Sequence, residues 1–205
     1  PGYPWLGAHL VKQWLVVDQP DWESLPWEDP RVLVRYPRGN AFHRMLLESE
    51  RFIARLNLLP RTLCHGDTYP TNFMSRSLAD GQEVTVALDW ALVNVAPLGD
   101  DLAQFVFGAH MNLKEGRRED ITNTLFESYI EGLRDGGCHT DPQLVRFGFT
   151  TGAALRVGLF KMISLANDLK QNNPSLNNVD EQSALPEAFE IGMAEEAYLL
   201  MEATG

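Results

Sequence analysis

The sequence predicts a mainly α-helical fold with one small β-hairpin, and three observations support this prediction. Four long segments in the second half of the chain carry the apolar spacing of amphipathic helices. A short stretch rich in β-branched residues, 84–90, follows the turn signal Asp80-Gly81. The chain has 205 residues, of which 44% are hydrophobic, and this is sufficient for one well-buried globular unit.

Residues 1–40 lack a sustained hydrophobic period and are predicted to form a connector on the hinge side of the domain. The apolar run at residues 10–17 fits a strand as well as a helix. Between residues 18 and 29 there are five acids and no base. Such a charge run is typical of a solvated loop, and the alternative is a flap that presents carboxylates to a cation.

A single amphipathic helix is predicted over residues 41–58, where apolar residues recur at three- and four-residue steps. Pro60 ends this helix, because proline fits poorly in a helix interior. The apolar stripe is expected to face a core. It consists of Phe42, Met45, Leu46, Phe52, Ile53 and Leu56.

A β-hairpin is predicted next, with residues 72–74 and 84–90 as its arms. It carries a polar motif at each end. Residues 65–72 read HGDTYPTN, and Asp89-Trp90 closes the second arm. The hairpin should therefore bring the two motifs onto adjacent loops.

Four helices are predicted after residue 98, separated by glycines and by a polar segment. Their apolar faces must pack on one another and on the hairpin. The most apolar segment, 147–166, is interrupted by Arg156 and Lys161, so it is typical of a buried helix and not of a membrane span. The predicted helices cover residues 101–114, 118–134, 142–170 and 186–202.

The composition restricts the class of partner. A formal net charge of −11 argues against nucleic acid, because neutralising phosphates requires clustered Lys and Arg. The same charge makes a cationic small molecule the easier substrate to accommodate. Cys64 and Cys138 are the only two cysteines and stand far apart in sequence, which is neither a disulfide framework nor a zinc pattern, so a reducing cytoplasmic setting is expected. No membrane partner is expected.

Three side chains with oxygen donors carry the predicted chemistry: Asp67, Asn72 and Asp89. Asp67 and Asn72 are separated by the spacing that kinase catalytic loops use for a base and a magnesium ligand. Carboxylate and amide oxygens are ligands that suit Mg²⁺. The predicted site is therefore one for phosphoryl transfer, in which Asp67 orients the acceptor hydroxyl and takes its proton.

Two further residues are predicted to orient this loop. His65 is expected to hydrogen-bond the loop rather than to act as a ligand or base. Asp101 either caps the helix that it begins or reaches back to the backbone amides of the loop, and the two alternatives are equally favoured. In the second case Asp100 is expected to be the cap or a solvated extra acid.

At these residues the chain resembles the aminoglycoside phosphotransferase and choline kinase-like family, whose members share H-G-D-x-x-x-x-N, a later Asp-Trp or Asp-Phe pair and a D-L-A helix start. The resemblance is sharp over residues 61–104 and extends to the flanking helices only in pattern. It implies that Asp67 is the catalytic base and that Asn72 and Asp89 bind Mg²⁺. It also implies ATP, with GTP as an alternative, and a small acceptor such as an aminoglycoside, choline, a macrolide or a sugar.

The resemblance also implies a domain organisation. Residues 41–205 would be the helical C-terminal lobe of a protein-kinase-like α+β fold, with the catalytic loop inside 61–104. The N-terminal nucleotide lobe is expected to be missing from this sequence, because no G-x-G-x-x-G loop and no convincing strand lysine is found. The chain alone is then expected to be catalytically incomplete.

Two other functions were weighed against phosphotransfer. A non-catalytic module that binds a ligand or partner is the main alternative. A metal-dependent hydrolase using His65, Asp67 and Asp89 is disfavoured, because His-x-Asp supplies too few ligands for a transition metal.

Overall fold

The computed structural model of the chain describes residues 7, 10, 11, 13, 28–33, 39–110, 117–174 and 181–203. Over these residues the chain is mainly helical with two small antiparallel sheets, so the predicted fold class is confirmed. The predicted connector over residues 1–40 and the acidic stretch at 18–29 lie largely outside the described residues. Within the run at 10–17, the described residues 10, 11 and 13 are helical.

Two helices occupy the region where one helix was predicted over residues 41–58. The first three helices are α1 (Pro30–Leu33), α2 (Gly39–Leu47) and α3 (Ser49–Leu56). The chain leaves ideal helical geometry at Glu48, with φ −97° and ψ 13°. The sequence gives no signal there, because glutamate is a good helix former. The predicted apolar stripe from Phe42 to Leu56 is buried, as expected.

Two antiparallel sheets of two strands each flank the HGDTYPTN segment. β1 (Arg61–Cys64) pairs with β4 (Asn94–Pro97), and β2 (Phe73–Ser77) pairs with β3 (Glu83–Ala87). The β2–β3 pair confirms the predicted hairpin, and Gly81 in its turn has φ +83°. The β1–β4 pair was not predicted, because its strands are short and are separated in sequence by the hairpin.

Five more helices follow in the part of the chain that the structure describes. They are α4 (Asp100–His110), α5 (Arg118–Asp135), α6 (Pro142–Gly152), α7 (Leu159–Lys170) and α8 (Glu181–Ala203). A π-helical segment, Ala153–Gly158, joins α6 to α7 without a break, so the long helix predicted over residues 142–170 is confirmed. The helix predicted over residues 101–114 corresponds to α4, and its predicted end at residue 114 lies outside the described residues. The last helix begins at Glu181, earlier than predicted.

The continuous rod of α6, the π-helical segment and α7 lies at the centre of the core. It is long and apolar enough to cross a membrane by length and composition, but 87% of its most apolar window is buried inside the chain. The rod packs against α4 on one side and α8 on another. Phe147, Phe149, Leu155 and Leu159 are among its fully buried side chains. The prediction of a buried core helix is therefore confirmed.

Two glycines determine how closely the rod approaches the start of α4. A Cβ atom on Gly148 would lie 2.0 Å from the carbonyl oxygen of Leu98. A Cβ atom on Gly99 would lie 2.6 Å from the Phe149 backbone nitrogen, and Gly99 also has φ +95°, which favours glycine. Larger residues at either position would push the rod away from α4.

Gly148→Ala is expected to lower the free energy of unfolding by about 1–3 kcal/mol, because the added methyl group overlaps the Leu98 carbonyl oxygen. The matched control is Gly132→Ala in α5, where nothing lies within 4 Å of an added Cβ. This control should raise the free energy of unfolding by about 0.5–1 kcal/mol, since alanine is the better helix former. Urea unfolding followed by circular dichroism measures both changes, and changes of the same sign would contradict the close contact.

Candidate active site

The HGDTYPTN segment forms a tight loop between β1 and β2, which we name the HGD loop (residues 65–72). It ends in one turn of 3₁₀ helix at Pro70–Asn72. Gly66 has φ +81°, and a Cβ atom at this position would lie 2.1 Å from the carbonyl oxygen of Leu92. Glycine alone meets both conditions, so the bend that precedes Asp67 depends on Gly66.

Asp67 and Asn72 meet across the HGD loop. The Asn72 Nδ2 atom donates to the Asp67 carbonyl oxygen at 2.8 Å and to the Asp67 Oδ2 atom at 3.0 Å. The spacing in sequence thus corresponds to direct contact between two predicted site residues. This amide orientation, inferred from the hydrogen bonds, leaves Oδ1 as the Asn72 atom able to bind a cation.

His65 is buried within the loop and is bonded through both ring nitrogens. Its Nδ1 accepts from the Asp67 backbone N–H at 3.2 Å, and its Nε2 lies 2.7 Å from the Leu88 carbonyl oxygen. These partners assign the neutral tautomer with the proton on Nε2. The ring also packs on Trp90, with the ring centroids 4.6 Å apart. Backbone groups therefore engage both nitrogens, which leaves neither to ligate a metal.

The Asp101 carboxylate reaches back to the HGD loop. It accepts from the backbone N–H of His65 at 2.7 Å and from that of Gly66 at 2.9 Å. Thr68 adds two bonds to the same helix: its hydroxyl donates to the Asp101 carbonyl oxygen, and its N–H donates to Gln104 Oε1 at 3.1 Å. Of the two alternatives for Asp101, the structure thus contains the contact with the loop amides.

Asp100 is buried, which corrects the alternative expectation that it is a solvated extra acid. Its side chain is 2% exposed and pairs with Arg156, whose Nη1 lies 3.3 Å from Asp100 Oδ2. Arg156 also donates to the carbonyl oxygen of Gly66. The sequence did contain a signal for this contact. Arg156 interrupts an apolar helix, and a charge buried in a core has to be paired.

Asp89 lies two residues after β3 in a left-handed backbone conformation, with φ 57° and ψ 67°. Residues other than glycine adopt this conformation at a cost, and they cluster at functional sites. The preceding residue, Leu88, donates to the Asn72 carbonyl oxygen at 2.9 Å and contacts His65 through its own carbonyl. The Leu88 backbone therefore holds Asp89 beside Asn72.

The donor chemistry of Asn72 and Asp89 suits Mg²⁺. Mg²⁺ takes one or two carboxylates from a protein and completes its coordination with water and substrate phosphates. The exposed Asp89 carboxylate accepts only a long bond of 3.4 Å from the Ala91 N–H among the bonds described for it. No group of three or more His, Cys, Asp and Glu side chains within the described ranges could hold a metal ion. The metal-binding roles of Asn72 and Asp89 therefore stay predictions.

A cavity of about 370 Å³ lies between the HGD loop, which contributes Thr68, and helices α4 and α5. Its walls are almost wholly apolar. They include Thr68, Phe73, Leu102, Phe105, Leu125 and Tyr129. Asp101 also lines the cavity, but its carboxylate is engaged with the two loop amides. The volume falls within the range of about 300–1,000 Å³ that small-molecule sites occupy.

Two titratable groups near the loop are kept neutral by their surroundings. Burial raises the pKa of the Cys64 thiol well above its usual range, and the negative charges of Asp101 and Asp100 add to the effect. Burial also raises the pKa of Tyr129 to about 12, and its hydroxyl accepts from the Gly99 N–H at 3.2 Å. Neither group is a nucleophile at neutral pH, so the chemistry of the site rests on carboxylates.

Comparison with known proteins agrees with a kinase-like site. Residues 44–139 match the model of the ecdysteroid kinase-like family, and this stretch includes both sheets, the HGD loop, α4 and α5. No curated protein and no solved structure matches the chain. The narrower resemblance to aminoglycoside phosphotransferases and choline kinases stays a prediction. Over residues 44–139 the chain is similar to a kinase-like family related to the protein-kinase-like small-molecule kinases.

Proposed function

We propose that the protein is a phosphotransferase that moves the γ-phosphoryl group of ATP to a hydroxyl group of a small molecule. The observation that carries the proposal is the direct contact between Asp67 and Asn72 on a loop whose backbone is held by buried side chains. Kinases place a base and a metal ligand at this spacing. The similarity of residues 44–139 to a kinase-like family supports the same class of reaction. GTP is the alternative donor.

Asp67 would act on the acceptor hydroxyl. The acceptor oxygen forms a bond to the γ-phosphorus, the bond from that phosphorus to the bridging oxygen breaks, and the hydroxyl proton passes to the Asp67 carboxylate. A carboxylate is a weak base toward an alcohol, so the main task of Asp67 is orientation until late in the transfer. Mg²⁺, held by Asn72 Oδ1 and the Asp89 carboxylate, would supply charge compensation on the phosphate oxygens.

The acceptor that we propose has an apolar body and a hydroxyl group. The cavity that Thr68 of the HGD loop lines is walled by aromatic and aliphatic side chains, and its one carboxylate already accepts two hydrogen bonds. Such walls favour an apolar molecule over the cationic acceptor that the net charge suggested. The name of the matched family makes steroid alcohols the first class to test.

We further propose that a nucleotide-binding lobe covers the outer face of the two sheets. Leu63 and Val95 are register partners on β1 and β4 and are 67% and 48% exposed. Met74 and Trp90 are also exposed nearby in the chain. Exposed apolar side chains in such numbers are typical of surfaces that a partner covers. The kinase-like resemblance makes a β lobe with a glycine-rich loop the expected partner.

Asp67→Asn is expected to lower kcat by about 10²- to 10⁴-fold with ATP binding retained, because an amide cannot take the acceptor proton. Asp80→Asn in the exposed hairpin turn is the matched control and should leave kcat unchanged. ATP consumption by the full-length protein is measured with a panel of steroid alcohols, amino alcohols and amino sugars. If the wild type consumes no ATP with any of them and Asp67→Asn binds them equally well, the chain is a binding module instead.

Removal of divalent cations with EDTA should abolish phosphoryl transfer, and Mg²⁺ but not Zn²⁺ should restore it. Asp89→Asn should raise the Mg²⁺ concentration for half-maximal activity by about 10-fold or more, since the site loses a charged ligand. Glu83→Gln at the exposed start of β3 is the control. Mg²⁺ titrations of activity measure the change, and recovery of phosphoryl transfer with Zn²⁺ but not with Mg²⁺ would contradict the proposed Mg²⁺ site.

Ser128→Trp is expected to raise the KM for a steroid acceptor by about 10-fold or more and to leave the KM for ATP unchanged, because an indole would occupy part of the cavity. Ser128 is exposed at the cavity wall, so the substitution should not disturb the core. Glu127→Trp, on the neighbouring exposed position of α5, is the matched control. Equal effects of the two substitutions on the acceptor KM would exclude the cavity as the acceptor site.

A further inference from the structure

Arg156 is a charged side chain in the middle of the most deeply buried helix. It is 5% exposed, and every residue of the π-helical segment Ala153–Gly158 is buried. Its segment neighbours are small or apolar. Removing a guanidinium from water costs several kcal/mol unless partners compensate for it. The position of Arg156 therefore has to be explained by what its guanidinium contacts.

The guanidinium joins two parts of the site that are distant in sequence. Nη1 lies 3.3 Å from Asp100 Oδ2 at the start of α4, and Nη2 donates to the carbonyl oxygen of Gly66 in the HGD loop. An ion pair with Asp100 alone would already compensate for the buried charge. The bond to Gly66 is an additional contact, and it ends on the residue that precedes Asp67.

The peptide group between Gly66 and Asp67 is thereby fixed at both ends. Arg156 holds its carbonyl oxygen, and the Asp67 N–H donates to His65 Nδ1 at 3.2 Å. The orientation of this peptide plane determines the direction in which the Asp67 side chain leaves the backbone. With the carbonyl released, the His65 bond would be the remaining hydrogen bond described for this peptide group itself.

Stability alone accounts poorly for Arg156. A buried ion pair is weak evidence for stabilisation, since apolar residues of similar volume often serve as well or better. The π-helical geometry around Arg156 is also rare, and such segments occur frequently at functional sites. Both points indicate a role of Arg156 in the site that α4 and the HGD loop form.

We propose that Arg156, paired with Asp100, is a positioning residue that fixes the orientation of Asp67 for phosphoryl transfer. The inference rests on the proposed function for its catalytic consequence. The inference also has a structural part, which is that Arg156 immobilises the HGD loop. This part does not depend on the reaction and is measured separately.

The test uses the double variant D100N/R156M in the full-length protein. It removes both charges together, so neither is left buried without its partner. Amide hydrogen exchange at His65, Gly66 and Asp67 should become about 10- to 100-fold faster, as expected from the loss of a hydrogen bond to a charged group. The thermal unfolding midpoint should change little. If D100N/R156M does not fold, the second double variant, D100N/R156Q, should show the same increase in the rate of amide hydrogen exchange.

The catalytic consequence is measured on the same variants with ATP and the steroid acceptor. The kcat should fall by about 10- to 100-fold and both KM values should stay within about twofold, because Arg156 supports Asp67 without touching either substrate. R156K, which keeps the charge and a donor, should recover part of the loss in kcat. A merely structural role would lower the unfolding midpoint and would not separate kcat from KM.

Arg146→Gln is the matched control on the same rod. Arg146 pairs with Glu196 at 2.6 Å and packs over Phe126 and Phe149, away from the HGD loop. The substitution should leave both the amide hydrogen exchange of the HGD loop and kcat unchanged. Unchanged loop exchange in a folded double variant would overturn the inference. If the wild type transfers no phosphate but the double variant exchanges faster at the loop, the proposed function fails and the immobilising role of Arg156 stands.

Discussion

The backbone of the HGD loop is held by charged side chains that lie beneath it, and the geometry of the site depends on this constraint. The Asp101 carboxylate accepts from two consecutive backbone N–H groups, and the Arg156 guanidinium binds the carbonyl oxygen of Gly66. In a low-dielectric interior such bonds are strong, and leaving one of their members unpaired is costly. The loop therefore has one favourable conformation, in which Asp67 faces Asn72.

The core and the site share the same elements. Asp100 and Asp101 begin α4, and Arg156 belongs to the rod that fills the centre of the fold. Gly99 and Gly148 allow the rod to approach the start of α4 closely enough for the ion pair to form. Close-packed interiors transmit small displacements, so a change in the packing of the rod should shift the position of Asp67.

In the proposed function, phosphoryl transfer and recognition of the acceptor fall on different parts of the fold. The oxygen donors that we propose for the transfer belong to the HGD loop and to the residue after Leu88, whereas apolar side chains of α4 and α5 wall the cavity. Phosphoryl transfer requires alignment more than covalent participation by the protein. A rigid loop next to an adaptable apolar wall meets this requirement, and acceptor preference can change with the wall while the loop is kept.

The sequence by itself determined the features that depend on local spacing: the helices, the β2–β3 hairpin and the grouping of Asp67 with Asn72. These follow from periodicity, turn chemistry and a short motif, which neighbouring residues encode. Only the tertiary structure decided the pairing of β1 with β4, the break at Glu48, the burial of Asp100, the contact of Asp101 with the loop amides, and the contacts of Arg156. Apart from the break at Glu48, each of these depends on contacts between segments far apart in the chain, and the free energy of burying a charge or a strand there exists only once the core has formed.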